Sequence, residues 1–577
     1  MATTVADNMV HTLKQAGVRR VYGLPGDSLN GFTDAMRRDG SFDWVHVRHE
    51  EAAAFAAAAD AGLTGELAVC VGSCGPGNTH LVNGLYDAQR SRVPVLVIAA
   101  QIPGAEIGGQ YFQETHPQAV FAECSEYTEL ISTPEMASHV FEIAIRTAIE
   151  KRGVAVVIVP GEVFLSKTEP KALPAPVRAA EPVVQPSDGE LRRAAELLNG
   201  ASRVTILGGA GCAGARSEVM ALAAVLEAPV VHTLRSKDAL EWDNPNDVGM
   251  TGLLGFASGY KAIEDAEVVL MLGTDFPYRQ FLPTKTYIQV DVRGEHLGRR
   301  AELTLGLVGT VRDTAAALLP LIAAGRDDSH VREAQRHYVR TRKQLDRFAL
   351  NDHNRTPIHP EYVAKVLDDT AAEDAVFTVD VGSPVVWAAR YLTMNGQRRI
   401  IGSFNHGTMA NALPHAIGAQ AAYERRQVVA MAGDGGLAML MGELLTLIQM
   451  QLPVKVVVFN NGALNFVEVE MKAAGIVNWG TDLINPDFSA VARAVGLHAV
   501  RVEHPDDLPE AMREAFEHDG PALIEVITAR QELSIPPAIT LEQAKGFSLY
   551  AIRTIMSGAG DELLDLVTTN VARRILR

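Results

Sequence analysis

Gln427-Val428-Val429-Ala430-Met431-Ala432-Gly433-Asp434-Gly435 and, further along, Val454-Lys455-Val456-Val457-Val458-Phe459-Asn460-Asn461 are the stretches whose reading decides the fold. Each is an apolar run of strand length that stops at a polar turn, the pattern of a parallel strand buried on both faces. Between them Met439, Leu440, Leu444, Leu447 and Ile448 recur at helical spacing, which predicts one helix. The unit is therefore a βαβ element, and Asp434 and the Asn pair emerge at the carboxyl ends of parallel strands, where open α/β sheets bind ligands. Mg²⁺ takes oxygen ligands, usually one or two protein groups plus phosphates. The Asp434 carboxylate and the Asn461 amide oxygen fit that demand.

Working outward, 577 residues are too many for one core, and strands alternate with helical segments on both sides of this unit. We expect three α/β domains with doubly wound parallel sheets. The first spans 1–170, with strands at Asp43–Val47, Leu67–Val71, Val93–Ala99 and Val154–Val159. A linker at 171–187 is marked by Pro170, Pro174, Pro176, Pro182 and Pro186. The second domain spans 188–330, with strands at Val204–Leu207, Val268–Leu272 and Tyr287–Val290; a charged linker helix (331–356), the third domain (357–530) and a tail (531–577) follow.

Composition bounds the function. Hydrophobic residues make up 47% and charged residues 21%, ordinary for a soluble protein, while a net charge of −17 argues against a general nucleic-acid binder. Cys70, Cys74, Cys124 and Cys212 lack metal-finger or redox spacing and read as buried free thiols in a reducing compartment. Met1 to Gln15 has no apolar core of a secretory signal, and no apolar run approaches the roughly 18 residues needed to span a bilayer. A cytoplasmic protein, soluble or peripheral to the membrane, is expected.

Further motifs sit at strand ends. Arg48-His49-Glu50 leads from an apolar strand into the Ala-rich stretch Ala52–Ala61; a Glu there is a helix-start charge or a catalytic group. Gly72-Ser73-Cys74-Gly75-Pro76-Gly77-Asn78 is a turn that is either structural or a ligand contact. Gly208-Gly209-Ala210-Gly211 is a weak phosphate-loop signal. Phe112 in Phe112-Gln113-Glu114 reads equally as a core aromatic, and Met409 in His406-Gly407-Thr408-Met409 as a core methionine.

Taken together these segments resemble the thiamine-diphosphate-dependent enzymes. The likeness runs almost end to end and is strongest to the pyruvate oxidase group, in particular its peripheral-membrane, quinone-reducing members that form acetate. The resemblance implies three domains: pyrimidine-binding, FAD-binding and diphosphate-binding. It implies Mg²⁺ on Asp434, Asn461 and the main-chain carbonyl of Ala463, with Gly435, Gly436, Gly462, Leu464 and Phe466 around the diphosphate. Gly75, Pro76, Gly77 and Asn78 would lie by the pyrimidine, and His406, Gly407 and Thr408 along the cofactor, with Met409 the wedge that bends it. Glu50 would hydrogen-bond the aminopyrimidine, and Phe112 and Gln113 would lie near the reaction centre. FAD would contact Gly209, Ala210, Gly211, Arg235, Lys237, Thr251, Gly252, Leu253, Leu254, Thr274, Asp275, Phe276, Pro277, Tyr278 and Asp291.

The implied activity is oxidative decarboxylation of pyruvate to acetate and CO₂, electrons passing through FAD to ubiquinone or menaquinone. A homodimer is the implied minimum and a homotetramer the expected assembly. Two alternatives stand beside it: a carboligase of the acetolactate synthase type with structural FAD, and a non-catalytic cofactor-binding homologue. Acetolactate synthases typically carry Arg-Phe-Asp-Asp-Arg where this chain has Asp275-Phe276-Pro277-Tyr278-Arg279, and the His-His pair of simple 2-oxo acid decarboxylases is missing. One departure concerns the group itself: Leu464-Asn465-Phe466 stands where Leu-Gly-Phe is common, and if that position takes φ > 0, Asn is the least costly replacement.

The tail adds Leu563, Leu564, Val567, Val571 and Ile575 on one helical face, with Arg573, Arg574 and Arg577 at its end. This is the pattern of an interfacial amphipathic helix or of a helix docked on the protein body. The resemblance favours attachment to the inner face of the cell membrane.

Overall fold

The computed structural model describes residues 3–169, 180–353, 355–530 and 549–550. Apart from 549–550 the tail, with the amphipathic face expected at 563–575, lies outside the described residues, as do Pro170, Pro174 and Pro176.

Eighteen strands form three parallel six-stranded sheets. The first holds β1 (Arg20–Gly23), β2 (Asp43–His46), β3 (Ala68–Gly72), β4 (Val95–Gln101), β5 (Tyr127–Leu130) and β6 (Val154–Pro160) in the order β2-β1-β3-β4-β6-β5. The second holds β7 (Val204–Gly208), β8 (Val230–His232), β9 (Asp247–Met250), β10 (Val268–Leu272), β11 (Thr286–Asp291) and β12 (Leu305–Val308) in the order β12-β11-β10-β7-β8-β9. The third holds β13 (Val376–Val379), β14 (Arg399–Ile401), β15 (Val428–Gly433), β16 (Lys455–Asn460), β17 (His498–Val502) and β18 (Ala522–Ile527) in the order β14-β13-β15-β16-β18-β17. The expected α/β class with three doubly wound parallel sheets is what the chain adopts.

The uninterrupted apolar runs have a simple cause. In β4, Val95, Val97 and Ala99 enter one core while Leu96, Ile98 and Ala100 enter the core on the opposite face. In β15, Val428, Ala430 and Ala432 likewise face away from Val429 and Met431. Helices cover both faces, so the run is apolar on both sides until Gln101 closes β4; each buried Val, Leu or Ile contributes roughly 1.5–3 kcal/mol.

One core spans the first and third sheets. Its bridge is the helix Glu50–Thr64, buried almost all round, against the helix Ala412–Ala422. Alanines keep the two axes close, and Gly418 sits at the crossing, where a Cβ would run into the Ala56 carbonyl.

The helix expected between β15 and β16 is broken. Two short helices, Asp434–Met439 and Leu444–Gln449, flank a 3₁₀ turn at Met441–Glu443, and Met439 and Ile448 are exposed rather than packed. The Glu443 carboxylate is drawn into hydrogen bonds with the main chain of Arg48 and His49, which tightens the chain at this point. Among the described residues no helix is long and apolar enough to cross a membrane.

Candidate functional site

β15 and β16 pair in parallel with Gly433 opposite Phe459, so Asp434 and Asn461 leave adjacent strands at the same edge. A pocket of about 90 Å³ opens there. It is lined by Met409, Asp434, Gly435, Gly436, Asn461, Ala463, Leu464 and Phe466 of the expected set, together with the loop Asp380–Pro384 that follows β13.

The Asp434 carboxylate accepts from the main-chain N–H groups of Gly435 (2.9 Å) and Gly462 (2.8 Å) and from Asn485 Nδ2 (2.8 Å). All these donors are neutral, and burial raises its pKa in spite of them. A buried carboxylate in that position would be relieved by a cation. Asn461 Oδ1, the other candidate ligand, accepts from Ala463 N at 3.0 Å, which turns it along the same loop.

Asp380, fully buried behind the pocket, accepts from Ala412 N at 2.9 Å, and burial pushes its pKa up to about 7. A Cβ at Gly436 would overlap the Asp380 carboxylate, so only glycine lets the chain of the Gly-Asp-Gly turn pass so close. The pocket is thus a cradle of main chain and small residues with two carboxylates at its base, and it fits a metal-bound diphosphate.

Asn465 corrects the expectation attached to it. It opens the helix Asn465–Ala473 and does not take a positive φ; in this loop that conformation belongs to Gly462, at φ 67°.

A second cluster forms beyond the carboxyl ends of β2 and β3 in the first sheet. Glu50 is the first residue of its helix, and His49 caps that helix by accepting from Glu51 N at 3.2 Å. Glu50 Oε2 lies 2.9 Å from His80 Nδ1, with the His49 and His80 rings stacked at 4.3 Å. Gly77 lies against Glu50, and Gly75 against Gln113, whose own backbone takes φ 63°. Cys74 Sγ reaches Gln113 Oε1 at 3.4 Å.

Phe112 is 78% exposed, so it is not a core aromatic. Asn78 is fully buried and donates to the Ala100 carbonyl at 2.7 Å, holding the turn together from within. The four cysteines are buried free thiols, as their spacing suggested.

Among the described residues no first-domain side chain lines the Asp434 pocket, and Glu50 and Asp434 do not share that cavity within one chain. His406 and Thr408 also stay outside it: His406 Nε2 lies 2.8 Å from Asn83 Oδ1 and its ring stacks on Tyr86. Thr408 receives Asn83 Nδ2 at 3.4 Å. Met409 alone of that segment reaches the pocket.

The strand ends of the second sheet carry the residues expected around FAD. Thr251 follows β9, and its buried hydroxyl has no hydrogen-bond partner among the described residues. Beside it Phe276 and Tyr278 meet edge to face at 5.7 Å, with the Phe276 ring against Gly252. Asp275 pairs with Arg300 at 3.0 Å, and Asp291 Oδ1 caps the turn at Arg293 N at 2.9 Å.

Two cations of the expected set are engaged elsewhere. Arg235 donates to the Ser91 carbonyl of the first domain at 2.9 Å, and burial lowers its pKa to about 10. Lys237 is buried in an ion pair with Glu241.

Sequence reading missed His80, Asn485 and the Asp380–Ser383 loop. The loop was findable: Val379-Asp380-Val381-Gly382 ends an apolar run much as Gly433-Asp434-Gly435 does. His80 and Asn485 carry no local signal, because only tertiary packing brings them to Glu50 and Asp434.

Comparison with known proteins gives one answer along the chain. Residues 3–120, 191–318 and 380–526 match, respectively, the N-terminal TPP binding domain, the central domain and the C-terminal TPP binding domain of thiamine pyrophosphate enzymes. The chain is 35% identical over 565 residues to the putative thiamine pyrophosphate-containing protein YdaP of Bacillus subtilis, covering 98% of each. It is 31% identical over 537 residues to a pyruvate oxidase of Lactiplantibacillus plantarum, covering 91% of this chain and 89% of that one. It is 30% identical over 551 residues to the acetolactate synthase isozyme 1 large subunit of Escherichia coli, covering 92% of this chain and 95% of that one. The chain belongs to the thiamine pyrophosphate enzyme family.

Proposed function

We propose that this enzyme converts pyruvate and water to acetate and CO₂, passing two electrons and two protons to FAD and on to a membrane quinone. The observation that carries this reading is the partnerless buried hydroxyl of Thr251 beside the Phe276–Tyr278 pair, a strand-end surface suited to a flat aromatic cofactor. Likeness to a pyruvate oxidase supports it, and the Asp275-Phe276-Pro277-Tyr278 run speaks for an oxidase rather than a synthase.

Asp434, Asn461 and the Ala463 carbonyl would hold Mg²⁺, Gly435 and Gly436 would face the diphosphate, and Met409 would support the cofactor. When bound, thiamine diphosphate supplies the nucleophilic carbon and the electron sink that decarboxylation requires. Glu50 holds and moves the proton at the aminopyrimidine, and His80, 2.9 Å from its carboxylate, is the group placed to exchange that proton with solvent. Because Glu50 does not reach the Asp434 pocket of its own chain, we assign the complete site to a dimer, which pairs into a tetramer, with Phe112 of the exposed loop covering the reaction centre. The carboxyl-terminal tail is the proposed attachment to the inner face of the membrane.

Anaerobic addition of pyruvate to the flavin-loaded protein tests the reading. Bleaching of the flavin absorbance with release of acetate is expected; acetolactate formed without flavin reduction would replace the oxidase by the carboligase, and no CO₂ from several 2-oxo acids would leave a non-catalytic homologue.

A further inference from the structure

Asn465 departs from the Leu-Gly-Phe run, and the proposed chemistry makes no use of it. Its side chain borders the pocket yet the residue is only 7% exposed. Both ends of the carboxamide are engaged: Ser383 Oγ donates to Oδ1 at 3.0 Å, and Nδ2 donates to the main-chain carbonyl of Arg530. These partners belong to different walls of the cavity. Ser383 opens the helix Ser383–Tyr391 after β13, while Arg530 follows Thr528 and Ala529, which line the pocket too. The Arg530 guanidinium then returns to the Asn465 helix by pairing with Glu468, one turn further on. Glycine at 465 can make neither side-chain bond, and a buried polar group left without its partner costs as much as a lost hydrogen bond.

We propose that Asn465 is a positioning residue for the diphosphate half of the pocket. Its carboxamide braces the Ser383 helix start against the Arg530 chain end, so the walls around Asp434 and Asn461 are set before the cofactor arrives. A cavity ordered during folding binds more tightly than one that must be ordered by its ligand. The inference rests on the binding of thiamine diphosphate at this pocket.

The test is calorimetric titration of the full-length apoprotein with Mg²⁺–thiamine diphosphate, and separately with Mg²⁺ and inorganic diphosphate. Asn465→Ala is expected to weaken both by about tenfold, the scale of one hydrogen bond to a preformed site. The double variant with Ser383→Ala should lose less than the sum of the two single changes. Should Asn465→Ala fold poorly, Asn465→Gly supplies the same measurement. Unchanged affinity in a folded variant, strict additivity in the cycle, or weakened cofactor binding with normal diphosphate binding would each overturn the assignment. Failure of the unaltered protein to bind Mg²⁺–thiamine diphosphate would instead remove the cofactor reading on which it rests.

Discussion

The Glu443 carboxylate accepts the main-chain N–H groups of Arg48 at 3.0 Å and of His49 at 2.9 Å, so a side chain of the third domain fixes the strand end that presents Glu50. Glu443 is 1% exposed, burial raises its pKa, and Thr446 Oγ1 adds a third donor at 2.6 Å. Glu443→Ala leaves two part-buried main-chain N–H groups without their acceptor, at roughly 1 kcal/mol each, and frees the Glu50 backbone. Turnover with pyruvate should fall by about tenfold or more and the melting temperature should drop. Glu443→Gln, which keeps an acceptor, should retain most activity; an alanine variant that turns over normally would show that Glu443 only stabilises the fold.

Glu50→Gln should reduce CO₂ release from pyruvate by about 100-fold or more, the scale of general acid–base catalysis, without lowering the melting temperature. Steady-state rates and a thermal melt on one preparation decide it. Activity within a few-fold of the unaltered enzyme would remove Glu50 from the proton relay.

Asp434→Ala should abolish Mg²⁺-dependent binding of thiamine diphosphate, because Asp434 is the one carboxylate in the proposed ligand set. Equilibrium dialysis with and without Mg²⁺ is the measurement. Cofactor binding that stays metal-dependent would place the ion elsewhere.

Asp247 lies in a buried polar group with His232, Lys237, Glu241 and Tyr338, and burial, seconded by Glu241, raises its pKa to about 8. The folded state thus holds this proton more tightly than the unfolded chain, so the stabilisation is complete below about pH 4 and is lost as pH rises towards 8. Asp247→Asn removes the loss. Urea melts should show the variant gaining at least about 1 kcal/mol over the unaltered protein at pH 8 relative to pH 5; parallel curves across that range would contradict the raised pKa.

Removal of the residues after Tyr550 should abolish binding to anionic vesicles and leave reduction of soluble dyes unaffected. Flotation assays with both forms report it, and equal flotation would detach the tail from the membrane.

Much of the molecule was legible because burial on both faces writes itself as unbroken apolar runs. β4, β6, β10, β15 and β16 fell within two residues of their expected places for that reason. β2, expected at Asp43–Val47, formed at Asp43–His46. β1 and β5, with four residues each, and β8 and β14, with three, were not foreseen, being too short for a run to stand out. Of the site, Asp434 and Asn461 were readable because their strand ends are contiguous with their own signals. The Glu443 break was not, since the force that makes it comes from the main chain of Arg48 and His49 in another domain. Asn465 was noticed as an oddity, but its meaning lay in Ser383 and Arg530, one before and one after it in the chain.

The confinement of the Asp434 pocket to third-domain residues has a genetic consequence. If each working centre draws Glu50 from one copy and Asp434 from another, a Glu50→Gln chain and an Asp434→Ala chain are each dead alone but carry complementary halves. Co-expressed, they would assemble mixed pairs with one intact centre and one doubly damaged centre, and activity would return from two null alleles. The rate recovered in the co-expressed preparation would count the mixed pairs.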